Sequence, residues 1–338
     1  MMVNKPRLYI PNWGSRSRQG TRDHDNDDAY DYFEVSRADG NSTVYVALVA
    51  DGVTNTAGGA QASRIAVEAV KATLQESPGR QETLSEWLEF AILRANEEIL
   101  FQAKRNPQWQ GMSTTIVLAA LAGDRLYVMH LGDSRAYLIR GQTLYQLVDD
   151  HTWAQEAINT GMLTTEEASQ HPGRNQLLRY LGAQKGVGVD RGIIALGTTQ
   201  REEYLTVQPG DAILLCTDGV HSRVSEAEIR QVLLDHVGYP QDAVDDLTEK
   251  AVDKGERDDI TAVLMELPPG RNELSMRLDP AQPLPPPLVA PQVRPPSPPR
   301  SASQPRQSSV WFWLLLVVGS ALVVLTVLLI WLRLNGQV

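Results

Sequence analysis

Five short acidic motifs recur along this 338-residue chain, each beside an apolar run. Asp27-Asp28 stands ahead of Ala29-Tyr30, Asp51-Gly52 after Val44–Ala50, and Gly132-Asp133 after Leu126–His130; Asp218-Gly219 follows Ala212–Cys216, and Asp258-Asp259 precedes Ile260–Met265. A carboxylate at the end of a strand is presented on a rigid edge. One Asp-Gly alone is more often a turn than a ligand. Five that converge would repel one another, and the usual remedy is a hard divalent cation. Oxygen-only ligation suits Mg2+ or Mn2+, with water in the remaining octahedral positions. Two such ions about 3.5–4 Å apart can share a water, lower its pKa and aim it in line at phosphorus. The chemistry these residue types point to is metal-assisted hydrolysis of a phosphate ester.

The elements that must position them can be read from periodicity. Val44–Ala50, Thr114–Ala122, Leu126–His130, Ala136–Ile139, Ala212–Cys216 and Ile260–Met265 are β-rich apolar runs, and Gly123-Asp124 between the second and third is a two-residue hairpin signal. Ala57–Leu74 carries Ile65, Val67, Ala69 and Val70 at helical spacing, and Leu84–Phe101 opens with Thr83 and Glu86 in capping-box spacing. The same spacing recurs at Thr152/Gln155, Thr164/Glu167 and Ser225/Glu228. Strands, a helical pair, more strands and then helices favour an α+β layered sandwich over a regular parallel βαβ sheet.

Beyond residue 267 the composition changes. Thirteen of the 20 prolines lie between Pro268 and Pro305, so 268–309 predicts an extended, disordered spacer. Val310–Leu332 is 23 residues without a charge, long enough at 1.5 Å per residue to span a bilayer core of about 30 Å. Trp311, Trp313 and Trp331 stand where interface aromatics belong, and Arg300 and Arg306 before the span against Arg333 after it favour a cytoplasmic catalytic domain on a single-pass membrane protein. Net charge is −10, and −14 in the part before the spacer, which argues against nucleic acid as a partner. The single cysteine, Cys216, excludes an internal disulfide framework, and Met1–Pro11 lacks the apolar stretch of a signal peptide. The domain boundaries expected are therefore 1–267 catalytic, 268–309 linker, 310–332 transmembrane and 333–338 tail.

In order and surroundings these motifs resemble the PPM family, the protein phosphatase 2C-like enzymes, and among them the bacterial membrane-tethered type. The resemblance runs over Gly20-Thr-Arg22, Asn26-Asp-Asp-Ala-Tyr30, Val49-Ala-Asp-Gly52, Gly111-Met-Ser-Thr-Thr115, Leu131-Gly-Asp-Ser-Arg-Ala-Tyr137, Asp150-His151-Thr152 to His171-Pro-Gly-Arg-Asn175, Leu214-Leu-Cys-Thr-Asp-Gly219 and Arg257-Asp-Asp-Ile-Thr261. It implies a four-layer α-β-β-α sandwich with two central antiparallel sheets. It further implies a binuclear Mn2+ or Mg2+ centre contacted by Asp51, which bridges, and the Gly52 carbonyl, with Asp28, Asp218 and Asp258 adding oxygens. Asp133 with Asp218 would hold a third ion, Asp27 and Asp259 would act from behind the ligands, and Arg22 would bind the substrate phosphate. The implied reaction is hydrolysis of phosphoserine or phosphothreonine in proteins by metal-bound hydroxide, opposing a Ser/Thr kinase. Phosphorylated proteins, that kinase among them, are the implied partners.

Three features depart from the family pattern. Arg22 is four residues before Asn26, where relatives commonly have three. Thr54, Asn55 and Thr56 stand where bacterial relatives have two glycines and a histidine, so no family-style general acid is present there; His24 and His221 are the substitutes to consider. Asp259 replaces a usual Asn and adds negative charge beside the centre. The altered 54–56 loop keeps a second reading open, a non-catalytic phosphoprotein-binding scaffold on the same fold. The retained carboxylates speak against it, since a pure binding module has no need of a repulsive cluster.

Overall fold

The apolar runs beside the aspartates become the inner strands of two antiparallel sheets in a computed structural model, which describes residues 9–22, 25–37, 43–53, 58–76, 83–183 and 187–268. Thr54–Thr56, His24, the linker after Pro268 and the span at 310–332 lie outside these residues. Among the described residues no helix is long and apolar enough to cross a membrane.

In chain order the elements are β1 (Asn12–Arg18), β2 (Asp28–Ser36), β3 (Thr43–Asp51), α1 (Gly59–Glu76), α2 (Leu84–Arg105), β4 (Ile116–Ala122), β5 (Arg125–Leu131), β6 (Arg135–Arg140) and β7 (Thr143–Gln146). Two short helices, α3 (Trp153–Asn159) and α4 (Thr165–Gln170), precede four two-residue strands, β8 (Asp190–Arg191), β9 (Ile193–Ile194), β10 (Arg201–Glu202) and β11 (Leu205–Thr206). The chain continues through β12 (Ala212–Cys216), α5 (Asp218–His221), α6 (Glu226–Asp235), α7 (Pro240–Asp253) and β13 (Ile260–Glu266). One sheet runs β1-β13-β12-β6-β7; the other runs β11-β5-β4-β3-β2, with β8 beside β5.

Strand alternation builds the layers. Val44, Val46, Leu48 and Ala50 of β3 pack with Ala62, Ala66 and Val70 of α1 and Leu88 and Ile92 of α2. Ala47 and Val49, pointing the other way, pack with Ala136, Leu138, Ile213, Leu215 and Val263 of the facing sheet. That sheet turns Tyr137, Leu214, Ala262 and Leu264 outward onto Val232 of α6 and Leu247 of α7. The order is helices, sheet, sheet, helices. Strands covered on both faces explain why these runs read as continuously apolar.

The helix starts follow their caps. Thr83 and Thr164 each accept from the backbone N–H three residues on and donate their own N–H to the Glu86 or Glu167 carboxylate, and Thr152 accepts from Gln155 N at 3.3 Å. Ser225 N donates to the Glu228 carboxylate at 3.0 Å. The strand expected from Thr114 starts two residues later, because Thr114 instead forms isolated bridges with Gly52 and Leu181.

Candidate metal centre and phosphate site

Register, rather than loop geometry, assembles the first pair of carboxylates. Asp28 opens β2, Asp51 closes β3, and the antiparallel ladder sets the two directly opposite each other. Asp51 is held by its backbone: its N–H donates to Thr115 Oγ1 at 2.9 Å, and its carbonyl accepts from Thr115 N and Thr114 Oγ1 at 2.8 Å each. From the facing sheet, β12 ends at Thr217 and Asp218 opens α5. Thr217 Oγ1 donates to Asp28 Oδ2 at 3.0 Å and accepts from Thr261 N at 3.1 Å, so one buried hydroxyl links the two sheets at the centre.

The glycines of Asp51-Gly52 and Asp218-Gly219 are not turn residues, since neither has the left-handed backbone. A Cβ at Gly52 would lie 2.3 Å from the Gly59 carbonyl oxygen, and one at Gly219 would lie 2.0 Å from the Asp259 carbonyl oxygen. Both glycines exist because another backbone passes against them at the aspartate-bearing edge.

The electrostatics are those of a cluster short of positive charge. Burial, and then the neighbouring carboxylates, push Asp28, Asp51 and Asp133 well above the usual carboxylate range. Burial, followed by Asp258, pushes Asp218 up to about 7, against the pull of Arg22 and a hydrogen bond from Asp51. Asp258 is also raised by burial, with Arg22 opposing. Asp28 Oδ1 is buried without a hydrogen-bond partner among the described residues. A buried, unpartnered carboxylate oxygen amid mutually repelling acids fits hard divalent cations. The carboxylates placed to offer such oxygens are Asp28, Asp51, Asp218 and Asp258, with Asp133 beside Asp218.

Asp27, Asp28, Asp51, Gly52, Asp133, Asp218, Asp258, Asp259 and Arg22 lie at this edge, while His24 falls outside the described residues. Three of the residues selected from the sequence behave differently from their expected roles. Asp259 does not turn its charge toward the centre alone: Oδ1 accepts from Gly20 N at 2.7 Å and Oδ2 from Asp27 N at 2.6 Å. Asp27 donates that bond from its N–H and accepts from Gly52 N through its carbonyl at 3.0 Å, while its Oδ2 lies near Gly59 at the start of α1. His221 is no free proton donor. Its Nε2 bonds the Asp133 carbonyl at 3.0 Å, and burial with Arg135 nearby lowers its pKa to about 4. Arg22 does reach the centre, with Nη1 2.7 Å from Asp258 Oδ2 and the side chain still 42% exposed.

Sequence reading missed a second polar cluster, gathered around Asp190 of β8. His151 Nε2 is 3.1 Å from Asp190 Oδ2, Arg179 Nη2 is 2.6 Å from Asp190 Oδ1, and Arg201 bonds both Asp190 and Asp149. His130 stacks on His151 with ring centroids 4.3 Å apart. His130, His151 and Asp190 bring three ligand-type atoms close together, but two guanidinium groups already neutralise Asp190. The cluster also touches the centre, because Gly132 N donates to His151 Nδ1 at 3.1 Å one residue before Asp133.

Comparison with known proteins agrees with this geometry. The family model described as protein phosphatase 2C matches residues 18–254. The serine/threonine phosphatase Stp of Listeria welshimeri is 32% identical over 253 residues, which are 74% of this chain and 94% of the relative. The crystal structure of the Mycobacterium tuberculosis serine/threonine phosphatase PstP/Ppp superposes with a TM-score of 0.63 at 29% identity, covering 77% of this chain and all of that one. A PstP catalytic domain in complex with two manganese ions superposes at 0.61 with 27% identity, over 77% of this chain and again all of the other. Carrying the fold, the converging aspartates and this breadth of match, the chain is a protein phosphatase of the protein phosphatase 2C family.

Proposed function

We propose that this chain hydrolyses phosphoserine and phosphothreonine in proteins at the aspartate edge, with Mn2+ or Mg2+ held by Asp28, Asp51, the Gly52 carbonyl, Asp218 and Asp258, and a further ion by Asp133 with Asp218. The observation that carries this reading is the packing of carboxylates that burial and mutual repulsion push upward, with Asp28 Oδ1 left unpartnered. Bound there, a pair of divalent cations neutralises the carboxylates and supplies Lewis-acid activation of water toward phosphorus.

The chain's own residues do the rest. Arg22 commits one nitrogen to Asp258 and keeps further N–H donors for phosphate oxygens. Thr217 and Thr115 orient Asp28 and Asp51 through hydroxyl contacts, which keeps the oxygens preorganised. His221 fixes the Asp133 carbonyl.

Hydrolysis of a phosphothreonine peptide with Mn2+, with Mg2+ and with EDTA tests the reading. Turnover that needs either metal supports it; turnover that persists in EDTA sinks it. Binding without turnover under any metal would favour the scaffold. The 310–332 segment is proposed as a membrane span that holds the phosphatase domain on the cytoplasmic side, near a membrane Ser/Thr kinase or its substrates. Deleting 310–338 should move the protein to the soluble fraction, and continued sedimentation with membranes contradicts the span.

A further inference from the structure

We infer that Asp259 is a positioning residue that holds the phosphate-binding loop in register and acts on the substrate through Arg22; this rests on the reading of Arg22 as the phosphate-binding residue. Residues 20–27 leave the end of β1 and return at β2, with Arg22 as their cation at the centre. The two oxygens of Asp259 take the two ends of that segment, Gly20 N at 2.7 Å and Asp27 N at 2.6 Å. The same stretch of chain supplies the other contacts. Thr21 N donates to the Arg257 carbonyl at 2.9 Å, and Asp258 receives Arg22. Gly20 lies so close that a Cβ there would be 2.3 Å from the Arg257 carbonyl oxygen. The loop is therefore stitched to residues 257–259 at both ends and in between.

The charge at 259 has a specific use in this arrangement. A carboxylate accepts at both oxygens, whereas an asparagine amide accepts at one and presents N–H donors at the other. Asp259 is buried, 3% exposed, so an amide facing a second backbone N–H has no water to relieve it. Only the acid can clasp both ends. The chain also carries one residue more between Arg22 and Asn26 than is common in the family, and the two-point clasp fixes the residues on either side of it, Gly20 and Asp27. The charge of Asp259 bears on Asp28 and Asp258 as well, and both of its oxygens accept from backbone N–H groups of the loop.

The test is a double-mutant cycle on the full chain, with Asp259→Asn, Arg22→Ala and the pair, read with a phosphothreonine peptide and Mn2+. Arg22→Ala is expected to raise KM about tenfold to 100-fold, the scale of one lost charge-assisted hydrogen-bond set. Asp259→Asn is expected to raise KM about fivefold and the Ki of inorganic phosphate in step, with kcat within about twofold, and the double variant is expected to match Arg22→Ala alone. Amide exchange in the peptide spanning 18–28 should quicken in Asp259→Asn, and Mn2+ affinity by calorimetry should stay within about threefold, less than the change that follows loss of a ligand-orienting group. Multiplying effects in the double variant, or Mn2+ affinity falling while KM holds, would overturn the inference. If Arg22→Ala leaves KM unchanged, the phosphate role of Arg22 fails instead; quickened exchange at 18–28 then still reports the clasp.

Discussion

Two groups of carboxylates lie on either side of Gly132-Asp133, and the protein treats them in opposite ways. At the sheet edge Asp28, Asp51, Asp133 and Asp218 crowd together with Arg22 as the cation paired at Asp258, and all are pushed toward holding a proton. On β8, Asp190 is also half buried, which alone would raise it, yet hydrogen bonds from His151 and Arg179 hold it well below the usual range. The same side chain is thus kept hungry for positive charge in one place and satisfied in the other. The difference lies in the partners: two guanidinium groups converge on one carboxylate in the second cluster, whereas in the first Arg22 pairs with Asp258 and Asp28 meets a hydroxyl. A protein that needed only stability would furnish both alike.

The largest effect should come from removing a charge at the crowded edge. Asp51→Asn or Asp218→Asn is expected to lower turnover by about 10³-fold, the scale of losing a charge-stabilising group from an active centre. In EDTA the same variants should be as stable as wild type at pH 7.5, or more so. The sign follows from linkage: a carboxyl whose folded pKa is raised binds more protons folded than unfolded, so stability is greatest at low pH. For Asp218 it is then lost as pH climbs from about 4, the unfolded value, through about 7. Thermal melts in EDTA at pH 5 and 7.5 check this; variants that melt below wild type at pH 7.5 would remove the contrast between the clusters.

The sequence makes the edge legible only in part, for physical reasons that particular residues show. Asp51 and Asp218 could be found because each ends an apolar strand, and the capped helices because their signals are local, three residues apart. The pairing of Asp28 with Asp51 was out of reach, since register belongs to two strands together. So was the clasp of Asp259 on Asp27, 232 residues away. Gly52 and Gly219 read as turn residues, yet their cause is a neighbouring backbone that no local pattern announces. β1, Asn12–Arg18, has no apolar run and is a strand through its seven-residue register with β13. α7 begins with a proline and no polar cap, so its start was silent. Asp190, Arg179 and Arg201 sit in segments without periodicity, and only their meeting gives them a role.

A smaller effect, and of the opposite kind, is expected at the satisfied cluster. Asp190→Asn leaves Arg179 and Arg201 without their shared counter-charge and removes the acceptor of His151. The expected loss is about 1–2 kcal/mol, discounted because Arg179 and Arg201 remain partly solvated. Turnover should change only a few-fold, within about the range of a remote group that orients a ligand-bearing loop. Urea melts and kcat with Mn2+ separate the two readouts. A turnover loss as large as that of Asp51→Asn would place this cluster inside the catalytic centre and erase the distinction drawn here.

The smallest effect tests what a hydroxyl does at Asp28. Thr217 is fully buried; it donates to Asp28 Oδ2 and accepts from Thr261 N. Thr217→Val keeps the shape, removes the Thr217 hydroxyl bond to Asp28 Oδ2, and takes from the Thr261 N–H its Thr217 acceptor. Folding should weaken by about 1 kcal/mol, and Mn2+ affinity by about tenfold, the usual consequence of losing a group that orients a ligand. General destabilisation is separated by Leu247→Ala on α7, which lies in the outer core on the far side of the β12–β13 sheet. That variant should cost more stability, about 2–5 kcal/mol, and leave Mn2+ affinity unchanged in calorimetry below its melting point. If Leu247→Ala weakens Mn2+ binding as much as Thr217→Val does, the hydroxyl carries no orientation of Asp28, and the edge would owe its order to packing alone.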